Sequence, residues 1–268
     1  KSVVNENPSR AEINWVAGSL MRLLLLINRD FPSYYALERL LPLIQGQMVQ
    51  ILQTAQVGAP RAVPRALKDL ANHEQSLLQD QLSVPGGTDW PAIQRALSQQ
   101  LGVPITTVAG VNQGLGYELM RSFHPDLMVS IRFGSILQPL AINLPRLGVI
   151  NLHSGLLPDY RGVMATFWSM LHQQSHYGYS IHDIVDAGID TGPMIEDEVL
   201  PLNLNEDYFS QLVALYRKAV PRLAKIIEQR ERGIVPNRLS KNSATGSYYS
   251  VPTELDVAQF SDLGLRLF

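Results

Sequence analysis

Asn151 and His153 stand two residues apart at the end of an apolar run, an arrangement that could stabilise negative charge. Side chains alternate along a β-strand, so a strand here points both groups to the same face. In open α/β sheets, sites form just beyond the carboxyl ends of strands. An amide and an imidazole there could both donate to one oxygen that gains charge during a reaction. The alternative is that both are ordinary hydrogen-bonding groups.

A second candidate is the loop D-A-G-I-D-T-G-P-M-I over residues 186–195, with Asp190 at its centre. Taken alone, it is typical of a connecting turn in which Asp and Gly fill their usual positions. A carboxylate beside an imidazole favours the charged imidazole, so Asp190 has a chemical role if it meets His153. His182, next to Asp183 in a predicted strand, is interpreted either as a supporting group or as a structural histidine.

The apolar pattern supplies the elements that position these groups. Short apolar runs predict strands at 23–27, 48–54, 105–108, 127–131, 149–152, 179–185 and 194–200. Helical composition and end signals predict helices at 32–41, 66–81, 91–101, 116–122, 164–172 and 206–232, the last with a kink or break at Pro221. This alternation predicts an α/β fold: an open, mostly parallel Rossmann-like sheet with helices on both faces and a short C-terminal helical extension.

Three regions follow from this pattern. Residues 1–20 are predicted to be an N-terminal extension, residues 21–205 the catalytic core, and residues 206–268 C-terminal helices and a short strand packed on that core. The strand is Tyr248-Tyr249. A last helix begins after Thr253, whose side chain with Asp256 resembles a capping box.

Composition excludes several classes of protein. The chain has 268 residues, a net charge of −2 and no cysteine, which excludes disulfides, thiolate nucleophiles and Cys-based metal sites. The charge argues against a dedicated nucleic-acid binder. The most apolar stretch, residues 23–27, is far shorter than the ~20 residues of a spanning helix. We therefore predict a cytoplasmic protein with no membrane or nucleic-acid partner.

The order and spacing of the two motifs resemble the formyltransferase superfamily, which includes glycinamide-ribonucleotide, methionyl-tRNA, amino-sugar and hydroxyornithine formyltransferases. The most specific match is N-L-H-S-G-L-L-P-D-Y-R-G over residues 151–162, followed by I-D-T-G-P-M-I over residues 189–195. The resemblance extends over residues 103–233, including G-V-P at 102–104 and P-D-L-M-V-S at 125–130.

The resemblance implies transfer of a formyl group from 10-formyltetrahydrofolate, as co-substrate, to an amine. Asn151 and protonated His153 would hold the developing oxyanion, and Asp190 would orient His153 and accept a proton from the amine. No metal is expected. The folate would lie between two loops that comprise Arg132, Phe133, Gly134, Ser135, Ile136 and Leu137, and Val185, Asp186, Ala187, Gly188 and Ile189.

The acceptor is predicted from departures from the family. The first strand ends in Asn28-Arg29-Asp30, without the Gly-rich phosphate turn of a glycinamide-ribonucleotide enzyme. The sequence after residue 233 looks too short for the extra domain of methionyl-tRNA formyltransferases. We therefore predict a small amine or hydroxylamine, with N5-hydroxyornithine favoured. Candidate acceptor-binding residues are Asn28, Arg29, Asp30, Tyr160, Arg161 and Gly162. Arg29 and Asp30 would grip a carboxylate and an ammonium, or are solvated loop charges.

Four other functions remain open at this point. They are a formyltransferase acting on an amino-sugar nucleotide, a hydrolase that releases formate from the same donor, a non-catalytic folate-binding module, and an RNA-linked protein. A hydrolase would turn over without an amine, a binding module would transfer to none, and an RNA-linked protein would bind tRNA in a salt-dependent way. The sequence does not indicate the oligomeric state.

Overall fold

The structure is a computed structural model that describes residues 20–56, 62–234, 239 and 246–268. The predicted N-terminal extension therefore lies, except for its last residue, outside the described residues. The described strands are β1 Arg22–Asn28, β2 Met48–Thr54, β3 Ile105–Thr107, β4 Leu127–Ile131, β5 Val149–His153, β6 Arg161–Gly162, β7 His176–Asp183, β8 Met194–Pro201 and β9 Tyr248–Tyr249. The described helices are α1 Phe31–Leu40, α2 Arg65–Gln81, α3 Trp90–Leu101, α4 Gly114–Phe123, α5 Pro139–Ile142, α6 Ala165–Leu171, α7 Tyr208–Glu231 and α8 Glu254–Asp262.

Seven of these strands form one sheet in the order β3-β2-β1-β4-β5-β7-β8. The pairs β2–β3, β1–β2, β1–β4 and β4–β5 are parallel, whereas β5–β7 and β7–β8 are antiparallel. The predicted open, mostly parallel Rossmann-like sheet is confirmed. β6 and β9 form a separate parallel pair.

Helices cover both faces of the sheet, because β1 is apolar on both sides. Leu23, Leu25 and Ile27 join a core with residues of α1, α2, α3, α6, α7 and α8. Leu24 and Leu26 join a second core with residues of α4 and α5. All five side chains have no exposed surface. Full burial of such a side chain is worth about 1.5–3 kcal/mol, so the run must form a central strand.

Two predicted elements differ from the structure. The helix α7 continues through Pro221 and does not break there. Leu215, Ala219, Val220 and Leu223 on either side are fully buried, and this burial outweighs the roughly 3 kcal/mol that an interior proline costs. β7 begins at His176 instead of 179 and ends at Asp183, because its first residues pair with the last residues of β8.

The C-terminal region agrees with its predicted elements. Thr253 caps α8 in a reciprocal capping box with Asp256. No helix in the described ranges is long and apolar enough to cross a bilayer. The boundary at residue 205 stays a prediction.

Candidate active site

The carboxyl end of β5 places Asn151 and His153 on one side of the sheet, in a cavity of about 370 Å³. Asn151 pairs with Ser130 of the parallel strand β4 and with His182 of the antiparallel strand β7. It therefore lies where the parallel part of the sheet changes to the antiparallel part. Side chains from both neighbouring strands line the cavity beside it.

Asp190 reaches this cavity from the loop between β7 and β8. Its backbone adopts the left-handed conformation with φ 54°, which is uncommon outside glycine and strained but tolerated by Asp. Asp190 Oδ2 lies 3.5 Å from His153 Nδ1, and Asp190 Oδ1 accepts a hydrogen bond from Asn151 Nδ2 at 3.4 Å. The structure brings all three predicted catalytic side chains together; the roles assigned to them stay a prediction.

The second ring nitrogen of His153 is held by the loop after β5. Nε2 donates to the carbonyl oxygen of Tyr160 at 2.6 Å. A carbonyl oxygen only accepts, so one hydrogen of the ring must sit on Nε2. Nδ1 is then the nitrogen that faces Asp190. A second ring proton would sit on Nδ1, directly against the carboxylate.

His182 completes the cluster, and sequence reasoning had left its role open. Its Nδ1 donates to the carbonyl oxygen of Asp183 at 3.0 Å, so Nε2 accepts from Asn151 Nδ2 at 3.1 Å. Nε2 also lies 3.4 Å from Asp190 Oδ1. The signal that could have found it is the antiparallel register of β5 and β7, which pairs it with Asn151.

The carboxylate of Asp190 is ionised despite being deeply buried. Burial by itself would raise its pKa, but the charge of His153 and the N–H of Gly162 at 2.8 Å oppose that effect. The protonated form of His182 adds a further charge and donates from Nε2 to the carboxylate instead of accepting from Asn151. Together these interactions outweigh burial. The pKa of Asp190 is lowered to about 2 as a result. An anionic carboxylate is therefore available at the site across the neutral range.

Most of the predicted folate residues line the same cavity. They are Arg132, Phe133, Gly134, Ser135, Ile136, Leu137, Asp186, Gly188 and Ile189; Val185 and Ala187 are not part of the lining. Phe133, Ile136, Leu137, Ile184 and Ile189 make part of the wall apolar. Apolar walls with a few polar side chains suit a flat heteroaromatic ring, so the residues present fit a pterin.

The candidate acceptor residues after β1 are engaged within the protein. Asp30 caps α1 by accepting from Ser33 N at 2.9 Å, and it accepts from Asn28 Nδ2 at 2.8 Å. It also accepts from Arg132 Nε at 2.9 Å. The guanidinium of Arg29 lies over the ring of Trp90 at 5.1 Å. None of the three residues lines the cavity described above, and their binding of an acceptor stays a prediction.

The other three candidates hold the C-terminal segment. Tyr160 stacks on Tyr249 with ring centroids 5.3 Å apart, and Arg161 Nη2 donates to the carbonyl oxygen of Gly246 at 2.6 Å. Gly162 lines the cavity, as does Tyr248, which the sequence analysis did not assign to the site. The pairing of β6 with β9 brings this distant segment to the catalytic cluster.

No group of three or more His, Asp or Glu side chains within the described ranges is arranged to hold a metal ion. The chemistry that the site can perform is hydrogen-bond donation from an amide and an imidazole beside a fixed carboxylate. Such a set can stabilise an oxyanion and accept a proton.

Comparison with known proteins agrees with the motifs. A family model described as Formyl transferase matches residues 109–221. The methionyl-tRNA formyltransferase of Citrifermentans bemidjiense is 30% identical over 149 residues, which are 55% of this chain and 46% of that protein. The methionyl-tRNA formyltransferase of Agathobacter rectalis is 30% identical over 59% of this chain and 53% of that protein. The chain thus spans about half the length of these curated relatives.

Solved structures support the fold. A sugar N-formyltransferase from a Shewanella species superimposes with a TM-score of 0.58 at 15% identity, over 87% of this chain and 78% of that one. A glycinamide ribonucleotide transformylase from Symbiobacterium toebii gives 0.58 at 16% identity, over 86% and 97%. The chain has the α/β fold seen in these formyltransferase structures. The resemblance to the formyltransferase superfamily is confirmed: residues 109–221 match its Formyl transferase model, and the solved structures that share the fold are formyltransferases.

Proposed function

We propose that this chain transfers the formyl group of 10-formyltetrahydrofolate to the nitrogen of a small amine or hydroxylamine, with N5-hydroxyornithine as the favoured acceptor. The observation that carries the proposal is the placement of Asp190 Oδ2 3.5 Å from His153 Nδ1 and of Asp190 Oδ1 3.4 Å from Asn151 Nδ2. These groups lie in a cavity whose other wall fits a pterin.

The bound folate supplies an electrophilic formyl carbon, and the protein supports attack on it. The acceptor nitrogen bonds to that carbon, negative charge develops on the formyl oxygen, and the bond to the folate nitrogen then breaks. Asn151 Nδ2 donates to His182 at 3.1 Å and more weakly to Asp190 at 3.4 Å. The hydrogen in the longer contact is the one that a formyl oxygen would take over.

His153 and Asp190 act together on charge and protons. An imidazolium at His153 keeps Nδ1 against Asp190, which stabilises it and fixes the ring, and its Nε2–H exchanges the carbonyl oxygen of Tyr160 for the developing oxyanion. The carboxylate also accepts the proton that the attacking nitrogen loses, directly or through a water. That proton is then passed to the departing folate nitrogen, so the step is balanced.

A tRNA acceptor is the second candidate, because both curated relatives named above are methionyl-tRNA formyltransferases. The net charge of −2 favours the small molecule, since tRNA binding depends on basic surface. An amino-sugar nucleotide remains an alternative small acceptor. We further propose that the protein acts in the cytoplasm, where reduced folates and these acceptors occur.

One assay separates these functions. The purified chain is incubated with 10-formyltetrahydrofolate and a panel comprising N5-hydroxyornithine, amino-sugar nucleotides, methionyl-tRNA and no acceptor, and release of tetrahydrofolate is followed. Release that depends on a small amine supports the proposal. Equal release without an acceptor indicates a hydrolase, transfer only to methionyl-tRNA indicates the tRNA function, and absence of release with bound folate indicates a binding module.

A further inference from the structure

Arg132 directly follows β4, beside the strand that carries Asn151 and His153, and its backbone adopts a left-handed conformation. Its φ is 58°, which is rarely adopted by a long side chain. Ile131 pairs with Leu152, so Arg132 follows β4 at the level of His153 on the neighbouring strand. Its Nε donates to Asp30 Oδ2 at 2.9 Å, and its side chain keeps 19% of its surface exposed. Strained backbone conformations cluster at functional sites, so the strain at Arg132 points to a function for its guanidinium.

The pairing with Asp30 uses the Nε of the guanidinium and so fixes the orientation of its two Nη nitrogens. Among the described residues, the only hydrogen bond with normal geometry made by Arg132 is the one from Nε. The two Nη nitrogens therefore keep N–H groups for another partner, and the side chain lines the catalytic cavity. A guanidinium held at Nε presents those N–H groups as a planar fork, which matches a carboxylate or phosphate.

Tyr216 and Ser154 bring two hydroxyl groups to the same place. Tyr216 lies on α7, is fully buried, and its hydroxyl has no hydrogen-bond partner of normal geometry in the described part of the chain. Burial raises its pKa, while the charge of Arg132 and weak hydrogen bonds with Arg132 and Ser154 lower it by less. Ser154 directly follows His153. A buried hydroxyl with only weak hydrogen bonds is costly, so a ligand atom that accepts from it with good geometry would be stabilising.

The charges of the groups next to Arg132 permit an anion to bind there. Asp30 and Arg132 form one ion pair, with burial opposing ionisation of Asp30 but Arg132 and its hydrogen bonds lowering its pKa below the usual value. Glu74 is the other carboxyl group nearby. Burial first, and then the charge of Asp30, raise its pKa to about 8, so it is uncharged at neutral pH. Asp30, Arg132 and Glu74 together therefore present no net negative charge to an incoming anion; the ionised Asp190 lies in the same cavity, beside His153.

We infer that Arg132, Tyr216 and Ser154 form a subsite for an anionic group, a carboxylate or a phosphate, carried by the acceptor. The inference rests on the proposed function and narrows it to amines that bear such a group near the nitrogen. Asp30 is a positioning residue that orients Arg132.

The test compares acceptors in pairs that differ only in the anion. N5-hydroxyornithine is paired with its decarboxylated counterpart, and an amino-sugar phosphate with the free amino sugar. We expect the native chain to prefer the anionic member by about tenfold or more in kcat/KM. We expect R132Q to raise the KM for that member and remove the preference, and Y216F to reduce it. The pair with the larger preference identifies carboxylate or phosphate as the source.

Three results would overturn the inference. One is equal use of both members of each pair by the native chain. Another is an equal loss for both members in R132Q. The third is a rise in R132Q of the KM for the folate alone, which would show that the subsite binds a carboxylate of the folate. Because R132Q leaves Asp30 buried without its cation, the double variant D30N/R132Q and the milder Y216F are measured alongside it.

Direct binding separates this inference from the proposed function. Inorganic phosphate and acetate are titrated calorimetrically into the native full chain, R132Q and Y216F. Binding by the native chain that is lost in R132Q supports the subsite even if no amine in the panel is formylated. Equal binding by the native chain and R132Q, or an adventitious ion only, rejects the subsite whatever the outcome of the transfer assay.

Discussion

The backbone N–H of Gly162 donates to Asp190 Oδ2 across 2.8 Å, on the same carboxylate oxygen that faces His153 Nδ1. Gly162 belongs to β6, whose partner β9 lies more than 80 residues further along the chain. The position of Asp190 therefore depends on a strand pair outside the main sheet. The first prediction follows from this link.

Replacing Gly162 with alanine should disturb the site through Asp190. Its φ is 98°, and an added Cβ would collide with the carbonyl oxygen of Tyr249. We expect a loss of kcat of about 10- to 100-fold, as for other displaced oxyanion machinery. Gly148→Ala is the matched control, because φ there is 83° with open space around the Cβ. If both variants retain full kcat, the link between β6 and the chemistry is wrong.

Replacing either His153 or Asp190 should abolish most of the turnover and leave the fold intact. For His153→Gln and Asp190→Asn we expect kcat to fall by roughly 10²–10⁴-fold, the usual range for a lost general base or oxyanion donor. Steady-state kinetics and thermal unfolding are measured together. Asp262→Asn, an exposed change on α8, serves as the control. Full activity in both site variants would refute the proposed mechanism.

His182 should act as a positioning residue through the hydrogen bond from Asn151. His182→Ala removes the acceptor at 3.1 Å, so the Asn151 amide loses its orientation and kcat should fall about tenfold. His182→Gln can place an oxygen close to the lost Nε2, and we expect it to restore much of the activity. A merely structural role would instead lower the melting temperature of both variants without the kcat difference between them.

Glu74 should make the protein less stable as the pH rises. Burial, and then the charge of Asp30, raise its pKa in the folded state to about 8, from 4.5 for a solvent-exposed glutamate. The folded state therefore holds a proton that the unfolded state releases. As a result, the free energy of unfolding falls between about pH 4.5 and pH 8, by about 1.4 kcal/mol per pH unit. Glu74→Gln should remove this loss while keeping the hydrogen bond from Phe31 N.

Denaturant unfolding at pH 5, 7 and 9 checks this prediction. Glu74→Gln should gain stability relative to the native chain as the pH is raised. Glu118→Gln, at an exposed position on α4, should follow the native chain at every pH. A constant difference between the native chain and Glu74→Gln would show that Glu74 does not titrate in this window.

Much of the catalytic cluster could be predicted, because its signals are local. Alternation along β5 puts Asn151 and His153 on one side, and the run Leu23–Ile27 can only be a strand buried on both faces. The order of motifs then indicated Asp190. The continuous helix through Pro221 could not be predicted in the same way. The free-energy cost of the proline can be read from the local sequence, but the burial that compensates for it depends on the rest of the fold.

By itself, the sequence determined the α/β pattern, which depends on periodicity, and predicted from short motifs the three side chains of the candidate cluster, Asn151, His153 and Asp190, that the structure brings together. Only the tertiary structure decided that Asp30 accepts a hydrogen bond from Arg132, that His182 accepts one from Asn151, and that Tyr248 lines the cavity. Each of these contacts joins segments between 31 and 102 positions apart, or a strand pair across the chain. Such contacts arise from packing of the whole fold, which no local pattern encodes.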